Sequence, residues 1–259
     1  MPSFAQAPSR RGLFDGVLLV DKPVGPTSHD IVHKIRKTFC IEKVGHGGTL
    51  DPNATGLLIV LLGKGTKLSD QLMGGDKAYT GVMRLGRTTS SQDCDGETLE
   101  EKPWEPVARA QVEAQMAERV GDIFQMPPMV SAIKVKGVPL YKLARKGQEI
   151  ERKQRFVHIY RFALTEWAPP LVTFEVLCTK GTYVRTLVHD VGQALGCGAC
   201  LDALRRTQSG LFDVKDALPF DTILQLTPEQ LTIRMVPFAC VAGQSSPTAE
   251  PGALQPLLT

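Results

Sequence analysis

Several absences narrow the reading before any motif does. No apolar run in the 259 residues approaches the roughly 20 needed to cross a bilayer, so a membrane role is not expected and a soluble protein is. The six cysteines, Cys40, Cys94, Cys178, Cys197, Cys200 and Cys240, form no disulfide framework, and no signal peptide precedes them; reduced thiols in a cytoplasmic protein are expected. Cys197-Gly-Ala-Cys200 is a C-x-x-C without a second pair to complete a four-ligand zinc site, which leaves two small buried side chains. His29 and His33 have the i, i+4 spacing of ligands but no accompanying Glu or third ligand, so they read as solvated. Gly63-Lys64-Gly65-Thr66 fails the phosphate-loop pattern, because Leu58 replaces its first Gly and Gly65 its Ser or Thr. Asp93, Asp95 and Glu97 open like a calcium loop, but Pro103-Trp104-Glu105-Pro106 follows where further ligands belong; a solvated turn is expected. Charge of one sign is scarce too: the net charge of +3 permits a polyanionic partner without requiring one.

What is present is the pattern of a folded α/β chain. Hydrophobic residues make up 42% and charged ones 22%, an ordinary globular balance. Residues 1–12 lack apolar periodicity and read as a disordered leader. Gly16 to Asp21 has the character of a buried strand, ended by Pro23 and Pro26. Thr27 or Ser28 can cap a helix whose apolar side is Ile31, Ile35 and Phe39. Strands are expected at Leu57 to Leu62, Lys77 to Gly86, Val157 to Trp167 and Leu171 to Cys178, the last two antiparallel across Pro169-Pro170. Helices are expected over Glu105 to Val120, from near Tyr183 to Leu195 before Gly196, and after Pro228.

Positive charge concentrates between Lys134 and Arg155, with Tyr141 among the Lys and Arg residues. Basic residues interleaved with an aromatic suit a nucleic-acid backbone, and they equally suit a solvated loop. Arg185 falls in the first turn of its helix, where the helix dipole disfavours a cation, so a carboxylate partner is expected.

The stretch with the strongest chemical character is Gly45-His46-Gly47-Gly48-Thr49-Leu50-Asp51-Pro52-Asn53-Ala54-Thr55-Gly56. Its glycines let the backbone turn tightly and approach a ligand, and Pro52 biases Asp51 away from the α region. A plain turn and a held reactive carboxylate are both consistent with that spacing.

Five stretches together decide between them. Leu18-Leu19-Val20-Asp21-Lys22-Pro23, Gly45 to Gly56, Asp76-Lys77-Ala78-Tyr79, Pro128-Met129-Val130-Ser131-Ala132-Ile133-Lys134 and Lys180-Gly181-Thr182-Tyr183-Val184-Arg185 resemble, in order, the motifs of the TruB-type pseudouridine synthases. The resemblance covers about residues 13 to 235. It implies an α/β (α+β) pseudouridine synthase fold, with a mixed, mainly antiparallel central sheet flanked by helices. It also implies a basic RNA-clamping insertion at about residues 125–155, and a tail over 236–259 without the PUA-type domain that ends many bacterial members.

The activity so implied is isomerisation of uridine 55 in the tRNA T-loop to pseudouridine, by a monomer, with neither cofactor nor metal nor protein partner. By resemblance Asp51 is the nucleophile, attacking the sugar C1′ or the base C6. Tyr79 stacks on the target base and assists proton removal from C5, and Arg185 pairs with Asp51 and keeps it ionised. His46 contacts the RNA as the target base is flipped out, Leu204 walls the base pocket, and Lys22 lies near the floor of the site. Gly47 stands where Thr or Ala is commoner in the family, which implies added flexibility beside His46.

Overall fold

A computed structural model describes residues 13–129, 134–135, 138–139 and 152–243. The leader, most of the basic insertion and the chain after residue 243 lie outside the described residues. The described residues divide into two compact units, one holding those up to Gly75 and those from Ser209 to Gly243, the other those within Asp76–Gln208.

In the first unit, β1 (Gly16–Lys22) is the organising strand. Helix α1 (Ser28–Thr38) follows it, then β2 (Val44–His46), β3 (Ala54–Leu62), a 3₁₀ turn at Gly63–Leu68 and the short α2 (Ser69–Met73). Thr27 caps α1 in a reciprocal box with Asp30, and Ile31 and Ile35 turn inward while Arg36 and Lys37 favour the negative end of the helix. β3 runs antiparallel to β1, from Gly16 opposite Leu62 to Lys22 opposite Gly56, and β2 pairs with its other edge. Leu57 to Leu62 is buried residue by residue, as befits a strand covered on both faces. The strand starts three residues before the apolar run, at Ala54, and its pairing with β1 already includes Gly56, one residue ahead of that run.

Late residues complete this unit. Leu218–Pro219 pairs parallel with β1 and Val236–Pro237 pairs antiparallel with it. Val241 is buried in the same core as Val17, Leu19, Ile59, Leu61 and Leu72, so residues 236–241, read from sequence as part of a tail, are folded.

The second unit is a five-strand ribbon with helices packed on it. Its elements are β4 (Lys77–Leu85), β5 (Arg87–Thr89), β6 (Thr98–Glu101), α3 (Arg109–Ala117), β7 (Gly121–Gln125), the two-residue β8 (Lys134–Val135) and β9 (Val138–Pro139), β10 (Arg155–Ala168), β11 (Leu171–Cys178), α4 (Val184–Leu195) and β12 (Ala199–Ser209). The strand order is β12, β4, β11, β10, β7, and β4–β11, β10–β11 and β7–β10 are antiparallel. β4 and β11 alternate buried with half-buried residues, the period-2 signature that exposed them in the sequence. α3 is shorter than the Glu105 to Val120 expectation: Ala108 is its N-cap, and Trp104 to Val107 forms a separate turn. α3 packs against β10 and α4.

Candidate active site

In the first unit the Asp51 loop joins β2 to β3 and is pinned on both sides of the aspartate. Leu50, buried, donates its N–H to Ser28 Oγ at 2.8 Å, and the same hydroxyl donates to the Leu50 carbonyl at 2.9 Å. Beyond the aspartate, Ala54 N–H closes a turn onto the Asp51 carbonyl at 3.1 Å. Gly48 (φ +129°) and Gly56 (φ +92°) take backbone conformations that L side chains rarely adopt. Asp51 itself is exposed at the crest of this braced turn.

Lys22 is the brace. It ends β1 with its side chain wholly buried, and its ammonium donates to the carbonyls of Pro23 (2.9 Å), Pro52 (2.9 Å) and Ala54 (2.7 Å). Burial pushes its pKa down to about 8, against the opposing pull of the Asp51 carboxylate. The structure thus sets the Lys22 ammonium against the loop backbone just after Asp51, near enough for the carboxylate charge to act on it.

His46 is half-buried on β2, opposite Val60. The next residue, Gly47, is buried, with its N–H on the Ile59 carbonyl at 2.8 Å. A Cβ there would sit 3.3 Å from Leu72 Cβ and 3.4 Å from Ile59 Cγ2, so tight packing accounts for glycine at this point. His29 and His33 are exposed on α1.

In the second unit Tyr79 is 8% exposed on β4, opposite Val176 of β11, and Leu204 is half-buried on β12, the strand on the other side of β4. Arg185 is the second residue of α4, whose N-cap Tyr183 supplies no side-chain bond. Gln125 stands in: its amide donates to the Tyr183 carbonyl at 3.0 Å and its oxygen accepts the Tyr183 N–H at 2.7 Å. At the far end of the helix a Cβ on Gly192 would collide with the Ala199 backbone nitrogen, so glycine is what lets α4 lie against the start of β12.

The cation in that first turn has the carboxylate its position calls for. Arg185 Nη1 donates to Asp93 Oδ2 at 3.1 Å and to the Ser91 carbonyl at 3.0 Å. The arginine side chain is 7% exposed and that of Asp93 22%. Thr186 Oγ1 donates to Gln92 Oε1 at 2.8 Å, so consecutive residues of one segment hold consecutive residues of the helix. Asp95 and Glu97 are exposed as a solvated turn requires, whereas Asp93 of the same triplet faces Arg185.

Asp93 and Gln125 are the functional neighbours that sequence reasoning missed. Asp93 left one trace, an acid among Ser, Gln and Asp in a polar loop, and nothing local separates it from its exposed companions. A second unanticipated feature is the buried pair Lys77 and Arg206, 8% and 1% exposed. Burial first, and then Arg206, push the Lys77 pKa down to about 8.

Among the described residues no helix is long and apolar enough to cross a membrane. A family model for the TruB family pseudouridylate synthase N-terminal domain matches residues 36–184, and one for the tRNA pseudouridylate synthase B C-terminal domain matches residues 185–235. The chain is 53% identical over 223 residues to "tRNA pseudouridine synthase B" of Opitutus terrae, covering 86% of this chain and 92% of that one. It is 48% identical over 215 residues to the protein of the same name from Syntrophotalea carbinolica, covering 83% and 70%. Among solved structures it resembles a chain in the "Crystal Structure of a Cbf5-Nop10-Gar1 Complex" with TM-score 0.69 and 30% identity, covering 92% of this chain and 66% of that one. With both family models matched back to back across residues 36–235 and relatives this similar, the chain belongs to the TruB family of pseudouridylate synthases.

Proposed function

We propose that this protein isomerises uridine 55 in the T-loop of tRNA to pseudouridine, with Asp51 as nucleophile. The observation that carries the reading is the braced loop: an exposed carboxylate whose neighbours on both sides are tied down by Ser28 and Lys22. A plain turn needs no fully buried lysine beneath it, while a nucleophile gains from a fixed position because orientation accounts for much of a barrier. The names of the relatives support the substrate class.

The reaction is a rearrangement within one nucleotide. The Asp51 carboxylate bonds to the flipped nucleotide, the C1′–N1 bond breaks, the base turns, C1′ bonds to C5 and the bond to Asp51 breaks, freeing the carboxylate; the C5 hydrogen leaves as a proton and N1 takes one up. Tyr79 stacks on the base and serves that proton transfer. Arg185 keeps Asp51 ionised, His46 contacts RNA at the flipped position, and Leu204 lines the base pocket. The basic insertion near residues 125–155 holds the T-arm through its phosphates. The reading includes a cytoplasmic monomer that needs neither cofactor nor protein partner.

Tritium release from C5-labelled uridine in a tRNA transcript tests it. The wild-type chain should release label in proportion to pseudouridine formed, and Asp51→Asn should release none while still binding tRNA. Turnover by Asp51→Asn would remove Asp51 from the nucleophile role, and free uracil among the products would point to hydrolysis instead.

A further inference from the structure

The C-x-x-C spacing pairs Cys197 with Cys200, but the folded chain pairs Cys200 with Cys94. Cys197 Sγ donates to the Gly198 carbonyl at 3.3 Å, whereas Cys94 Sγ and Cys200 Sγ lie 2.9 Å apart. Backbone bonding sets up the contact: Cys94 N–H donates to the Leu201 carbonyl at 2.9 Å and Leu201 N–H to the Gln92 carbonyl at 3.0 Å, forming a parallel bridge of Asp93 with Leu201. Alternation along each strand then directs Cys94 and Cys200 to the side opposite Asp93 and Leu201. Cys94 is half-exposed and Cys200 buried, and both are free thiols.

At 2.9 Å the two sulfurs share a hydrogen bond. Closing to the roughly 2.05 Å of a disulfide asks for less than about 1 Å of movement. The Cys94 thiol, as donor, holds the Cys200 thiol below its ordinary pKa, and the charges of Arg87 and Arg84 act in the same direction. A thiolate, a resolving thiol in contact with it and partial exposure of one of the two are the features that make a cysteine pair oxidisable.

We propose that Cys94 and Cys200 are a site of reversible disulfide modification by hydroperoxides, which ties the Ser91–Cys94 segment to β12. A peroxide reaches the pair from the side of the half-exposed Cys94. The Cys200 thiolate attacks it, the O–O bond breaks, and Cys200 becomes a sulfenic acid while the hydroxide released takes a solvent proton. The Cys94 sulfur then attacks the Cys200 sulfur; the S–S bond forms, the S–O bond breaks, and the hydroxyl leaves as water with the Cys94 proton. Two thiols are oxidised to one disulfide and one peroxide is reduced to two waters, and a dithiol reductant reverses the change. The segment so tied carries Ser91 and Asp93, the partners of Arg185.

The test treats the full chain with hydrogen peroxide, alkylates the remaining thiols and maps peptides without reductant. Expected are a Cys94–Cys200 linked peptide, an intact mass lower by two hydrogens, and recovery of both thiols with dithiothreitol. Cys197→Ala should keep the link and Cys94→Ser should lose it. In the oxidised protein the amides of Cys94 and Leu201 should exchange about tenfold more slowly, because opening the bridge now requires moving a cross-linked pair. A Cys197–Cys200 link, or a Cys94 oxyacid with Cys200 still open to alkylation, overturns the site. Unchanged exchange at both amides overturns the tying of the segment.

Discussion

Replacing Asp93 by Asn removes one charge from beside Arg185 and almost no volume. In the wild type, Asp93 Oδ2 accepts from Arg185 Nη1 at 3.1 Å, while the same nitrogen donates to the Ser91 carbonyl at 3.0 Å. Breaking a fully buried pair by removing one partner costs about 3–5 kcal/mol, and breaking an exposed pair about 0–1. With Arg185 7% and Asp93 22% exposed, the contact falls between these limits. Asn retains an oxygen acceptor and the Ser91 carbonyl remains, so a loss of about 1–2 kcal/mol is expected, or roughly 2–8 °C in the unfolding midpoint for a chain of this size. Catalysis should suffer more than stability: a guanidinium displaced by about 1 Å can slow a reaction by on the order of 100-fold. Thermal unfolding and single-turnover tritium release on saturating tRNA measure the two effects separately. If Asp93→Asn unfolds at the wild-type midpoint and reacts at the wild-type rate, the carboxylate neither stabilises nor positions Arg185.

Other substitutions probe the remaining parts. Arg185→Lys should lower single-turnover rates by roughly 10–100-fold, since an ammonium on a shorter stem can neither set a nitrogen where Nη1 serves both Ser91 and Asp93 nor supply the remaining donors of the planar guanidinium; a near-native rate would count against that geometry. Lys22→Met should destabilise by about 2–4 kcal/mol, because it leaves the Pro52 and Ala54 carbonyls without their donor, and a denaturant midpoint equal to wild type would show that the brace is dispensable. The same lysine predicts a pH effect. Its folded pKa of about 8 lies below its ordinary 10.5, so between these values the unfolded chain binds more protons and wild-type stability rises with pH relative to Lys22→Met. Parallel stability curves for the two proteins across that window would refute the assignment. In the basic insertion, Lys136→Glu with Arg145→Glu should weaken tRNA binding and reduce its salt slope by roughly 2; an unchanged slope would put the phosphate contacts elsewhere.

The ladder of strands and the helix at Arg185 were legible because their signals are local. β4 and β11 show strict alternation, α1 has its capping box and apolar spacing, and α4 ends at Gly196 in the left-handed region. Expectations slipped where pairing or capping overrode the local pattern. The β1–β3 ladder includes Gly56, ahead of the apolar run, because Lys22 of β1 pairs with it, and α3 begins at Arg109 because the chain turns at Trp104 first. Residues 236–241 have little periodicity of their own and owe their structure to β1, with which Val236 and Pro237 pair.

The sequence by itself determined which groups are available, namely a carboxylate in a glycine-rich loop, an arginine at a helix start and a tyrosine on an alternating strand, and through ordered motifs it determined the family. Only the tertiary structure decided what holds them. Lys22 lies about thirty residues from the carbonyls it stitches, Asp93 ninety-two from Arg185, and Cys94 one hundred and six from Cys200. No local pattern encodes such contacts, because burial and hydrogen bonding act through space, and only the folded chain makes distant residues neighbours.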